Sequence, residues 1–153
     1  MEGTLSKPWT LAAVALLGLA AIAPARAADL DLTAGVLAYR DLNPVPVANL
    51  LGISLAGGTY TIDDPGETTI VLSSNAQSAG CAAVDPNTVT CPATALASFL
   101  IEPRFEHDMI VLSGVTHPAV VNGGDGTDTL IGGLAADTFI WNPGDDNDVV
   151  DGG

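Results

Sequence analysis

The chain has 153 residues, with 18 Asp and Glu against 4 Lys and Arg, a formal charge of −14, 2 histidines and 2 cysteines. A surface of that sign repels phosphate backbones and anionic headgroups, which excludes nucleic acid and a peripheral membrane face as partners and makes cations the natural ligand.

The first element is an export signal over residues 1–27. Lys7 gives a positive start, Leu11 to Ala23 is uncharged and apolar, Pro24 breaks the run, and Ala25-Arg26-Ala27 supplies the small-x-small pattern cut before Ala28. A membrane anchor is the competing reading, but this run makes about 20 Å of helix at roughly 1.5 Å per residue, short of a hydrocarbon core near 30 Å. The chain is therefore expected to be secreted, extracellular or at the cell surface, with no membrane span after cleavage. Removing Glu2 with the leader leaves 17 acids against Arg40 and Arg104, a net charge of −15.

Residues 28–121 read as one β-rich domain. Short β-type runs (Ile53 to Leu55, Thr59 to Ile62, Thr68 to Leu72, Thr88 to Cys91, Met109 to Leu112, Ala119 to Val121) alternate with Gly and Pro turns. Six prolines from Pro44 to Pro103 argue against long helices. A short helix within Pro92 to Leu100 is weakly signalled. In CAAVDPNTVTC the turn Asp85-Pro86-Asn87 lies midway between Cys81 and Cys91, so a hairpin in an oxidising compartment predicts a disulfide. A soft metal site has too few ligands, since His107 and His117 are remote in sequence.

Composition changes at Asn122. From Gly123 to Gly153 there are 7 Asp and 8 Gly and no Lys or Arg, so acid is concentrated with glycine rather than spread over a solvated surface. The run GGDGTDTLI from Gly123 fits the nonapeptide G-G-x-G-x-D-x-U-x, where U is large and apolar, at Gly123, Gly124, Gly126, Asp128 and Leu130. GGLAADTFI keeps Gly132, Gly133, Asp137 and Phe139 but has Ala135 in place of the third glycine. A third copy at Pro143 to Asp151 places Asp148 and Val150 correctly after a two-residue enlargement at Trp141-Asn142, and Gly152-Gly153 opens a further unit of an array expected to continue.

Each half of the unit has a physical task. Glycines turn the backbone tightly and bring carbonyl oxygens towards one point, while hard Ca²⁺ takes six to eight oxygens at about 2.3–2.6 Å. The second half is a three-residue strand whose central apolar side chain points inward.

These residues resemble the hemolysin-type (RTX) calcium-binding repeat family of bacterial secreted proteins. The resemblance covers residues 122–153. It implies an all-β chain in which the short-stranded body leads into a parallel β-roll, a β-solenoid. Calcium would be held between loops two units apart on one edge, and ion binding coupled to folding. It implies Asp128, Asp137 and Asp148 as carboxylate ligands, with Gly123, Gly124, Asp125, Gly126, Gly132, Gly133, Leu134, Ala135, Gly144, Asp145 and Asp146 at loop positions. An N-terminal leader points to a secreted or surface repeat protein more than to a pore-forming toxin.

Phe105 to Val111 places Asp108 and Ile110 at the offset of Asp128 and Leu130, which is open to two readings, a decayed repeat unit or a strand start, and the missing glycines favour the strand start. Glu102, Glu106, His107 and Asp108 read as a solvated turn, the alternative being an acid/base or metal site. No H-E-x-x-H and no G-x-S-x-G is present, so the chain is not expected to be an enzyme. The expected function is calcium binding. The alternative is an adhesin or structural β protein whose repeats are a stalk, with an extracellular ligand held by residues 36–121.

Overall fold

The computed structural model describes residues 28–153; the export signal read in residues 1–27 lies outside them. Two hairpins open the fold. β1 (Ala28–Thr33) and β2 (Val36–Asp41) pair antiparallel through Ala34-Gly35, whose φ angles of 51° and 80° match the twist a two-residue hairpin needs. β3 (Leu50–Ala56) and β4 (Thr59–Asp63) do the same through Gly57-Gly58. Alternation places Leu30, Leu37, Tyr39, Ile53, Tyr60 and Ile62 inside.

β5 (Ile70–Leu72) is followed by a single helical turn, α1 (Ser74–Ser78), whose first N–H groups are capped by the Ser73 hydroxyl accepting from the Ala76 N–H at 3.1 Å. β6 (Ala82–Asp85) and β7 (Thr88–Pro92) form a hairpin about Pro86-Asn87, and the bond between Cys81 and Cys91 closes its open end at a Cα separation of 4.1 Å. The helix read within Pro92 to Leu100 is reduced to a 3-10 turn at Ala93–Ala95. The rest belongs to β8 (Ser98–Glu102), because Phe99 and Ile101 alternate into the core and the strand is hydrogen-bonded on both sides.

Seven short strands follow: β9 (Arg104–Phe105), β10 (Met109–Val111), β11 (Ala119–Asn122), β12 (Gly124–Asp125), β13 (Thr129–Ile131), β14 (Thr138–Ile140) and β15 (Val149–Asp151). The chain is all-β, with mixed sheets. One sheet has the order β14-β11-β8-β2-β1-β5, the other β15-β13-β10-β3-β4-β7-β6, and β12 pairs with β9 alone. β8, β11 and β14 pair parallel in the first sheet, and β10, β13 and β15 in the second.

Between the sheets lies one apolar cluster that runs from Ala28 through Tyr60, Phe99, Ile110 and Val121 to Leu130, with Phe139 packed against it. Strand pairing and core therefore cross Asn122 without a break. The outermost strands are less covered: Val150 is 50% exposed against 1% for Leu130. Among the described residues, no helix is long and apolar enough to cross a membrane.

Candidate metal centre

Parallel pairing in fixed register stacks equivalent residues above one another. Met109 lies on Leu50 and under Thr129, and Thr129 lies under Val149, so the residues just before these strands form a column: Asn49, Asp108, Asp128, Asp148. Each aspartate reaches down one rung. Asp108 Oδ1 accepts from the Asn49 N–H at 2.8 Å, Asp128 Oδ1 from the Asp108 N–H at 2.9 Å, and Asp148 Oδ1 from the Asp128 N–H at 3.0 Å. These bonds satisfy backbone donors that the strand ladders leave free, and they use one oxygen per carboxylate.

The second oxygens of the two inner carboxylates have no partner. Asp108 Oδ2, Asp128 Oδ2 and the amide oxygen Asn49 Oδ1 are all buried without a hydrogen-bond donor, in residues 3%, 0% and 0% exposed. Buried polar atoms are ordinarily paired, and an unpaired charged one costs several kcal/mol. Two charges one strand spacing apart, about 4.8 Å, repel by about 3 kcal/mol at an effective dielectric near 20. Burial pushes the Asp108 carboxyl up to about 8; the neighbouring Asp128, Asp64 and Asp41 push the same way, against the lowering effect of the Asn49 N–H. Burial likewise raises Asp128, with Asp148 and Asp145 adding to it. The column is short of positive charge.

The turns before these strands supply neutral oxygens. Gly124 lies on Arg104 and Asp125 on Phe105, so Pro103 to Val111 sits under Gly123 to Ile131 residue for residue. Arg104 and Glu106 have φ of 90° and 77°, matching the positive φ of Gly124 (90°) and Gly126 (148°) above them. The segment read as a strand start does contain that strand, β10, and its turn also has the shape of a repeat unit. Asp108, read as part of a solvated turn, is buried because the two turns stack on it, while Glu106 and His107 stay exposed. Contact between the turns is close. A Cβ on Gly124 would lie 2.1 Å from the Arg104 carbonyl oxygen, and one on Gly126 1.5 Å from that of Glu106. Both carbonyls thus face the upper turn. His107 Nδ1 accepts from the Thr127 N–H at 2.8 Å and ties the turns together outside.

The second repeat unit uses its aspartate differently. Asp137 Oδ1 accepts from the Ala119 N–H at 2.8 Å and Oδ2 from the Gly133 N–H at 2.7 Å, so neither oxygen is spare. Gly132 faces the Gly152 carbonyl and Gly133 that of Val115, which keeps this edge stacked, whereas Leu134 is 75% exposed and Ala135 half-buried. In the third unit, Asp145 Oδ2 accepts from the Asn142 N–H at 2.7 Å, Asp146 is exposed, and Gly144 faces open space.

No protein family matches the chain, and no curated protein or solved structure is similar to it. The chemistry of the site therefore rests on its own atoms. Among the described residues, no three His, Cys, Asp or Glu side chains are grouped to hold a metal. A site made here would be rich in carbonyls, with one carboxylate to each pair of stacked turns. That donor set is all oxygen and hard, which fits Ca²⁺ and disfavours softer metals.

Sequence reasoning missed Asn49 and set the rung at Asp108 aside as a strand start, since neither is next to a glycine. The available signal was the equal spacing of Asp108, Asp128 and Asp148, repeated in Ile110, Leu130 and Val150 two residues on.

Proposed function

We propose that this chain binds calcium through stacked turns of an exported protein, that residues 98–153 are the start of a parallel β-roll, and that ion binding stabilises it. The observation that carries the reading is Asp128 Oδ2, a fully buried carboxylate oxygen with no donor, in a turn against which the Arg104 and Glu106 carbonyls of the turn below pack at Gly124 and Gly126. Asp128 with the carbonyls of Arg104 and Glu106 would hold one ion. Asp148 with the turn of Gly123, Gly124, Asp125 and Gly126 would hold a second, more exposed one. Asp137, Gly132, Gly133, Leu134 and Ala135 serve as a structural cap on the opposite edge. The acidic surface accords with cation binding.

Calorimetry tests it. Calcium added to the chelator-treated protein is expected to bind with a dissociation constant on the order of 10⁻⁴–10⁻³ M, in the range of extracellular modules. Magnesium, which demands a tighter octahedron and gives up water reluctantly, is expected to bind far more weakly. Absence of heat with calcium at millimolar concentration would overturn the reading.

A further inference from the structure

Residues 28–153 hold 17 acids and two arginines, and both arginines line the same cleft. The cleft has a volume of about 280 Å³ and is completed by Leu42, Glu102 and Asn122. Strand register places it. Arg40 of β2 lies beside Glu102 of β8, and Val121 of β11 lies beside Ile101, so Asn122 comes next to Glu102 on the other side. Alternation buries Tyr39, Ile101 and Val121 and turns Arg40, Glu102 and Asn122 to the outer face. Leu42 and Arg104 follow two residues beyond Arg40 and Glu102, where the chain leaves the sheet.

The two guanidiniums differ in what holds them. Arg40 is paired, its Nε donating to Glu102 Oε2 at 2.7 Å, with Asp29 of β1 beside it in register. Arg104 makes no ion pair among the described residues, although the chain around it is strongly acidic. It reaches the Asp41 carbonyl at 3.5 Å and lies 5.4 Å from the centroid of the Phe105 ring, which steadies the guanidinium without using up its donors. Its backbone has φ of 90°, the angle that Gly124 takes in the turn stacked on it, and one that costs every residue except glycine. The turn itself would be better served by glycine. An exposed, unpaired arginine kept on strained backbone at the mouth of a cleft marks a side chain with a task.

We propose that this cleft binds the acid group of a small organic acid about the size of one sugar ring, a uronate or a sugar sulfate. The Arg104 guanidinium meets the oxyanion with two parallel N–H groups, the Asn122 carboxamide meets a ring hydroxyl, and Leu42 lines the apolar side. The volume lies just under the roughly 300 Å³ at which sites for drug-sized ligands begin, which suits a single ring. Charge sets the same limit. Surface acids farther off than a Debye length of about 8–10 Å are largely screened, so a compact monoacid is governed by the groups it touches, whereas a polyanion meets the whole acidic surface. No metal takes part, and the proposal does not rest on the calcium reading.

The test is a titration of the whole protein with glucuronate at constant free calcium and ionic strength, read by NMR at the arginine Nε–H signals. The Arg104 signal, identified by its loss in Arg104→Gly, is expected to shift saturably in the millimolar range. Glucose, the same ring without the acid, is expected to leave it in place. A glucose sulfate titrated alongside distinguishes the two acids, the tighter one being the group the cleft takes. By a competition readout, Arg104→Gly is expected to weaken binding about tenfold or more, the effect of losing a charge-assisted hydrogen bond. Because glycine accepts a φ of 90°, that variant is also expected to unfold at or above the parent's temperature, so lost binding is separated from lost folding. An Arg104 signal that moves with neither acid, or equally with glucose, overturns the proposal. Undiminished affinity in Arg104→Gly overturns it as well.

Discussion

Asp128→Asn is expected to reverse the sign of its effect with calcium. In chelator the variant unfolds at the same temperature as the parent or higher, because Asn keeps an oxygen for the Asp108 N–H and removes a buried charge repelled by Asp148 and Asp145. With calcium at about ten to a hundred times the dissociation constant, the parent gains about 1.4–2.7 kcal/mol by linkage and the variant gains little at this rung. Asp137→Asn is the contrast. Both of its oxygens already accept backbone N–H groups, so losing one acceptor leaves a donor unpaired and costs about 1–3 kcal/mol with or without calcium. Thermal unfolding of the three proteins in chelator and in calcium checks both statements. Identical calcium responses in the parent and Asp128→Asn would count against Asp128 as a ligand.

A larger loss of stability is expected from Gly126→Ala. The new Cβ would stand 1.5 Å from the Glu106 carbonyl oxygen at a φ of 148°, so the two turns must move apart. Left-handed backbone alone costs an L-residue about 1–2 kcal/mol, and the displaced turn adds to this, for roughly 3 kcal/mol or more in all. Gly144→Ala has unfavourable φ too, 119°, but nothing within 4 Å of its Cβ, so only the conformational part of about 1–2 kcal/mol applies. Denaturant midpoints separate the pair. Gly126→Ala should also abolish the calcium response, since the packed turns are then separated, while Gly144→Ala should weaken only the outer site.

Much of the β character was legible because alternation and turn chemistry act locally. Gly57-Gly58 dictates a hairpin through positive φ that few other residues adopt, Asp85-Pro86-Asn87 through the fixed φ of proline and the Asp85 carboxylate accepting from the Asn87 N–H, and the repeat units announce their strands through Leu130 and Phe139. The parallel pairing of β8 with β2 and of β10 with β3 was not legible, since nothing local in Ser98 to Glu102 or Met109 to Val111 specifies a partner some sixty residues earlier. The Arg104 to Asp108 turn was hidden for a related reason. It adopts glycine-like angles without glycines, held in place by the turn above and by the His107 to Thr127 hydrogen bond. Asn49 and Asp64 looked like ordinary loop residues. Their bearing on Asp108 arises only when the sheets bring the loops beneath it. The distinction between Asp128 and Asp137 was likewise invisible, for both occupy the same place in the nonapeptide, yet Asp128 is fully buried with Oδ2 unpaired while Asp137 is half-buried with Oδ2 accepting from the Gly133 N–H.

The central claim is that calcium relieves a column of buried, unpaired acid and so stabilises the stacked turns. Its most direct test is the thermal unfolding midpoint of the protein in chelator and across a calcium titration, followed by circular dichroism at the β-sheet band. The account predicts a midpoint that climbs continuously with calcium, by roughly 3–5 °C for each kcal/mol of linkage in a domain of this size, and that does not climb with magnesium at the same ionic strength. A midpoint and spectrum that are the same in chelator and in millimolar calcium would contradict it.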